Sequence, residues 1–119
     1  LDHTSFTRAN FSGVNLKGSS LRNFRCNHCD FSGANLQKSD LYQAYFENSN
    51  LSGANLRGIK AYQTRFSYAN LTGADFRGAD LRNTIFNNAN LADADFREPK
   101  HSVDVEEAYV CNTKLHGEH

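Results

Sequence analysis

The sequence predicts an all-β solenoid, a chain wound into a coil with four short sides and stacked on itself. Three observations predict it. Large apolar residues recur at every fifth position. Small residues recur two places before them. Units of four fives align again at a spacing of twenty.

The period of five comes first. From Leu1 to Phe96, eighteen of the twenty residues at every fifth position are Leu or Phe, the two exceptions being Cys26 and Ala61. Eight of the nine Phe lie there. We call this position the centre. Two residues before it stands Ala nine times in nineteen and Ser or Thr six times. The residue just before the centre is dominated by Asn and Asp, as at Asn10, Asn15, Asp30, Asn35, Asp40 and Asn50. A period of five suits neither a helix nor a plain strand. It suits a chain that turns every five residues. The centre and the small residue two before it then point inward from one short extended piece.

The corners follow. Seven of the eight Gly fall two residues after a centre, at 13, 18, 33, 53, 58, 73 and 78. That is the third residue of a turn that starts at the centre, where a type II turn needs φ > 0 and Gly supplies it freely. The period of twenty then orders the corners. "FSGVNLKGSSLRNFRCNHCD", "FSGANLQKSDLYQAYFENSN", "LSGANLRGIKAYQTRFSYAN" and "LTGADFRGADLRNTIFNNAN" align without gaps. Gly marks two of the four corners. The others carry Asn23, Gln43, Gln63, Asn83 and His28, Asn48, Tyr68, Asn88, and a different turn type is expected there. Residues 1–98 make roughly five coils and, at about 4.8 Å per coil, a rod about 24 Å tall.

These residues resemble the pentapeptide repeat family, whose motif is A-(D/N)-L-x-x, along nearly the whole chain. The resemblance implies a right-handed quadrilateral β-helix of about five to six coils. The handedness comes from the resemblance alone.

Two sites depart from the motif. Ile59 is large where small is usual, and Ala61 is small where large is usual. Phe24 and Cys26 repeat the exchange. Close packing resists voids and overfilling alike, so Phe24, Cys26, Ile59 and Ala61 read as core positions with their volumes swapped.

After Phe96 the frame fails. Asp104 with Glu107 could open a short helix with a capping box. In the other reading the fives restart after a loop insertion at 99–102, with Val105, Val110 and Leu115 as centres through 103–119, and Gly117 falls two after a centre. "VCNTKLHG" also resembles a "CNTxMPDG" ending common among cyanobacterial pentapeptide repeat proteins, from which His116 departs. The resumed frame is preferred.

Composition excludes several functions. Thirteen basic residues balance thirteen acidic ones, which argues against a broad nucleic-acid binder. It also argues against an acidic mimic of DNA, a role that the resemblance raises through family members that act on gyrase. No apolar run is long enough to span a membrane. Met is absent, so Leu1 is not expected to be a native start, and no secretory leader is visible, although one already removed would leave no trace. The compartment stays open between cytoplasm and lumen or periplasm. Cys26 and Cys29 in "CNHC" face the core, with His28 at a corner. Two buried thiols are the preferred reading, a turn disulfide stays open, and four converging metal ligands are not in sight. No nucleophile and base stand together, and a filled rod offers no pocket. No catalytic residue, metal or cofactor is expected.

One outer feature is not repeat filler. The residue after the centre reads Lys17, Gln37, Arg57, Arg77, Arg97 in one column and Asp2, Arg22, Tyr42, Tyr62, Arg82 in the next. Arg and aromatic residues are enriched at interfaces. Lys17, Arg22, Tyr42, Arg57, Tyr62, Arg77, Arg82 and Arg97 are therefore the candidate interaction surface. Asp40, Asp75, Asp80 and Asp95 lie close enough to neutralise much of it. The reading is a non-enzymatic interaction or scaffold module whose partner is a protein. The rivals are the DNA mimic and a plain structural spacer.

Overall fold

A computed structural model describes residues 1–101 and 103–115. The chain winds into a four-sided β-helix, with a long axis of 38 Å and a cross-section of 22 × 22 Å. Among the described residues two segments run as continuous parallel strands, β1 (Ser5–Thr7) and β2 (Arg25–Asn27), with Ser5 opposite Arg25. Elsewhere each side contributes one parallel bridge to the coil above it. Asn10 pairs with Asp30, Asn15 with Asn35, Ser20 with Asp40, and so on to Asp75 with Asp95. The twenty-residue spacing of the sequence is thus the spacing of the ladder.

Why the residue before the centre is so often Asn or Asp is now plain. Its side-chain oxygen accepts the backbone N–H two residues on. Ser12 donates to Asn10 at 2.9 Å, Ser32 to Asp30 at 2.9 Å, Arg57 to Asn55 at 3.1 Å and Arg97 to Asp95 at 3.0 Å. This local bond holds the chain as it enters the corner. The corner closes with a bond from residue i+3 to the carbonyl of the centre, as from Ala54 to Leu51 at 3.1 Å and from Ala44 to Leu41 at 2.9 Å.

The corners correct one expectation. Corners without Gly were expected to turn differently. Their third residue is left-handed too, with φ near 58° at Asn23, 55° at Gln43, 60° at Asn48 and 61° at Tyr68, against 65° at Gly33. The winding imposes the same φ at every corner. Asn tolerates that region better than most residues, while Gln43, Gln63 and Tyr68 sit there at a cost.

The core is a filled column. Centres and small residues from Leu21 to Phe96 are buried. Rings of one column stack on each other, as Phe46 on Phe66 (5.5 Å, 13°), Phe66 on Phe86 (5.4 Å, 8°) and Phe76 on Phe96 (4.6 Å, 7°). Neighbouring columns meet edge to face, as Phe76 with Phe86 at 87°. Phe24 joins this ladder from its unusual position. Its ring lies 5.9 Å from Phe6 and 5.7 Å from Phe46, in the gap that Cys26 leaves in that column. Ile59 and Ala61 are likewise fully buried.

Cys26 and Cys29 form a disulfide, with Cα atoms 5.6 Å apart. The preferred reading of two free core thiols is corrected. The turn sets both residues inward at bonding distance, so the bond costs the backbone no movement.

The tail stacks on the fifth coil. Asn90 pairs with Tyr109 and Asp95 with Lys114. Glu107 and Asn112 take the left-handed corner conformation, with φ of 66° and 53°. No residue from 103 to 115 is helical. His101 is exposed. Burial is where the expectation fails. Val105 and Leu115 are only partly covered, and Val110 is 51% exposed. These centres have a coil on one side only. Ser102, His116, Gly117 and His119 lie outside the described residues. The first coil is open in the same way, with Leu1 and Phe6 exposed and Phe11 and Leu16 half-buried.

Candidate interaction surface

The outward positions of each side are fixed by the winding, so the surface is a set of columns. In the column after the first corner, the four predicted residues form one continuous stack. The Arg22 guanidinium lies 4.6 Å from the Tyr42 ring centre, Tyr42 stacks on Tyr62 at 5.9 Å, and Arg82 lies 5.5 Å from Tyr62. Tyr42 and Tyr62 are half-buried between their neighbours, and both Arg are exposed. Arg22 also reaches Asp40 at 3.0 Å and Arg82 reaches Asp80 at 2.7 Å.

The other predicted column behaves differently. Arg77 binds Asp75 at 2.8 Å and lies 3.7 Å from Asp95. Arg97 binds Asp95 at 2.7 Å, and Arg57 lies 4.0 Å from Asp75. Lys17 stands exposed on the first coil. The two columns flank one side, whose middle reads Ser20, Asp40, Lys60, Asp80, Lys100. A shallow groove runs there past Lys38, Gly58 and Gly78, and its charges alternate.

Electrostatics follow the pairing. The Asp80 and Asp95 carboxyls sit below their ordinary values because Arg82 and Arg97 donate to them, against an opposing push from partial burial. For Asp75 burial is the larger single effect and pushes upward, but the bonds from Arg77 together outweigh it and the net direction is down. These carboxylates are held ionised by their own Arg partners. The Arg column is therefore largely spent inside the molecule.

The structure adds a group that the sequence reading passed over. In the middle of the next side, Arg25 and Arg65 sandwich the Tyr45 ring, at 4.5 Å and 4.8 Å from its centre. Among the described residues, neither Arg has a carboxylate within 4 Å, unlike Arg22, Arg57, Arg77, Arg82 and Arg97. A signal was present. On this side the residue before the centre reads Ser5, Arg25, Tyr45, Arg65, Ile85, with no Asn or Asp to brace the corner. The columns after and before the corner together give three Tyr and four Arg on adjoining surfaces.

Elsewhere the surface is plain. The opposite corner carries Ser12, Ser32, Ser52, Thr72 and Ala92, with Ser12 and Ser32 hydroxyls 3.2 Å apart. Among the described residues no three metal-ligating side chains converge. Among those residues no helix is long and apolar enough to cross a membrane.

Comparison with known proteins agrees with this geometry. The family model for the pentapeptide repeat region matches residues 24–101, and that for pentapeptide repeats in eight copies matches residues 1–23. Among curated proteins no relative matches. A pentapeptide repeat protein from the Arabidopsis thaliana thylakoid lumen superposes with a TM-score of 0.79 at 28% identity, over 84% of this chain and 70% of that one. Rfr23, a pentapeptide repeat protein from the cyanobacterium Cyanothece 51142, gives 0.78 at 23% identity, over 96% and 88%. With matching repeats along most of its length and the same four-sided winding, the chain belongs to the pentapeptide repeat family.

Proposed function

We propose that the protein is a non-enzymatic interaction module, a rigid post that presents side chains in fixed columns to a protein partner. The observation that carries this is the stack Arg22–Tyr42–Tyr62–Arg82, continued onto the next side by Arg25, Tyr45 and Arg65. Residues of this kind supply large contact area and lose little side-chain entropy when already stacked. A spacer needs no such cluster. The DNA-mimic alternative gains nothing from the charge, because the acidic rows are matched by Arg.

The Cys26–Cys29 disulfide and the lumenal relative support a compartment where disulfides persist, lumen or periplasm, over the cytoplasm. Quantitative capture from an extract of the source cells tests the function. A partner retained by the native protein is expected to be lost with Tyr42→Ser/Tyr62→Ser and kept with Ser32→Ala/Ser52→Ala on the opposite corner. Equal capture by all three proteins would remove the case for this surface.

A further inference from the structure

We infer that the side bearing Arg25, Tyr45 and Arg65 binds an acidic segment of a protein, with two carboxylates seated on the two guanidiniums. The inference rests on the interaction reading above and names the chemistry of the partner.

The stacking decides what the surface can offer. Both faces of Tyr45 are covered by Arg25 and Arg65, and the facing sides of Tyr42 and Tyr62 are taken by each other, with Arg22 and Arg82 outside them. No face of these three rings is left for a nucleobase to stack on or for a quaternary ammonium to enter. What remains on offer is the guanidinium itself, a planar fork of N–H donors carried by exposed side chains at Arg25 and Arg65. A fork held over a ring has lost much of its freedom before binding, and its shape fits a carboxylate two bonds at a time.

Charge selects among anions. Arg25 and Arg65 are the guanidiniums of this side without an acidic partner, and the two ring distances put them no more than about 9 Å apart. Alternate residues of an extended segment repeat at roughly 7 Å, and splayed Glu side chains cover the remainder. A long polyanion fits worse. Glu47 stands beside Tyr45, and Asp104, Glu106 and Glu107 line a hollow with Ile85 and Asn87 at the C-terminal end of the same side. Those carboxylates repel a continuous phosphate chain and leave room for a short acidic stretch.

The position is also free of a structural duty. Where Asn or Asp precedes the centre, it braces the corner, as Asp30, Asn50 and Asn70 do for Ser32, Ser52 and Thr72. Arg25, Tyr45 and Arg65 give up that bond.

The test is fluorescence anisotropy with a labelled ten-residue peptide of alternating Glu and Ser, at low salt. A matched peptide of Gln and Ser and a ten-nucleotide oligothymidylate serve as comparisons. Saturable binding of the Glu peptide is expected, with none of the Gln peptide and weaker binding of the oligonucleotide. Arg25→Gln/Arg65→Gln should weaken the Glu peptide at least tenfold. Arg25→Lys/Arg65→Lys, which keeps charge but loses the fork, should fall between. Lys38→Gln/Lys60→Gln, two exposed cations outside this side, should change it less than twofold. No saturable binding of the Glu peptide overturns the inference, as does an equal loss in the Lys38/Lys60 variant or tighter binding of the oligonucleotide. If the peptide fails while the Tyr42/Tyr62 surface still captures a cellular partner, the acidic-segment assignment alone falls and the interaction module stands.

Discussion

A single inward hydroxyl shows how finely each core position is set. Thr64 donates to the Leu41 carbonyl and Thr84 to that of Ala61, both at 2.6 Å. Ser49 donates to Cys26 at 2.9 Å and accepts from the Cys29 amide. Ser39 is buried and its hydroxyl has no partner. Ser39→Ala is therefore expected to be neutral or stabilising by up to about 1 kcal/mol, while Thr64→Val should cost about 1 kcal/mol, both read from denaturant midpoints. The volume exchange at Ile59 and Ala61 gives a sharper test. Ile59→Ala alone should cost about 2–5 kcal/mol through a cavity, and Ala61→Leu alone roughly 1–3 kcal/mol through overfilling. The double variant should be clearly more stable than the two costs summed, because the residues share a layer. Additivity would place them in separate layers. Thiol counting checks the disulfide: in denaturant without reductant only Cys111 should react, and all three cysteines should react after reduction. The exchange at Phe24 and Cys26 was legible because volume is written in the residue type. The disulfide was not, because two inward cysteines three residues apart read the same whether bonded or free.

Each side of the coil is one extended piece and one corner, and its legibility was uneven. The Leu/Phe and Ala columns show directly in the sequence, since burial demands apolar residues. The corner conformation showed only where Gly stood, because Asn23 or Gln43 can occupy a left-handed corner without announcing it. The outer columns were read in the residue after the centre, so Arg22, Tyr42, Tyr62 and Arg82 were singled out, though not their stacking, and Arg25, Tyr45 and Arg65 were not. The side carrying the Asp75 and Asp95 row yields a pH prediction. The folded-state pKa values of Asp75, Asp80 and Asp95 are depressed. Their stabilising effect is complete above the ordinary carboxylate value near 3.8 and is lost as pH falls from there through the folded values. Denaturant midpoints are expected to decline below about pH 4, and to decline less steeply in Arg77→Gln/Arg97→Gln, whose carboxylates titrate closer to their ordinary value. An unchanged acid limb in that variant would show that these pairs do not set acid stability.

At the scale of the whole rod, the ends differ from the middle. Residues at the inner coils have neighbours above and below, while Leu1, Phe6 and Val110 have one side open. The tail is what closes the fifth coil. The Leu91 amide donates to Tyr109 and the Phe96 amide to Lys114, and Asn88 and Asp93 donate to Glu107 and Cys111. Removing residues 103–119 should speed amide hydrogen exchange for Asn88, Leu91, Asp93 and Phe96 by orders of magnitude, and leave Leu41 and Phe46 protected. Uniform loss of protection would mean that the rod unfolds as one cooperative unit. The ladder has a further consequence, in time rather than in space. Along the body of the rod its bridges pair residues twenty apart, so no step of folding has to close a longer loop than the step before it. The entropy of closure is the same at every coil, and each finished coil is the template for the next. On a chain that leaves the ribosome from its N-terminus, a coil can dock as soon as twenty further residues have emerged, and the rod can be completed at the pace of its own synthesis.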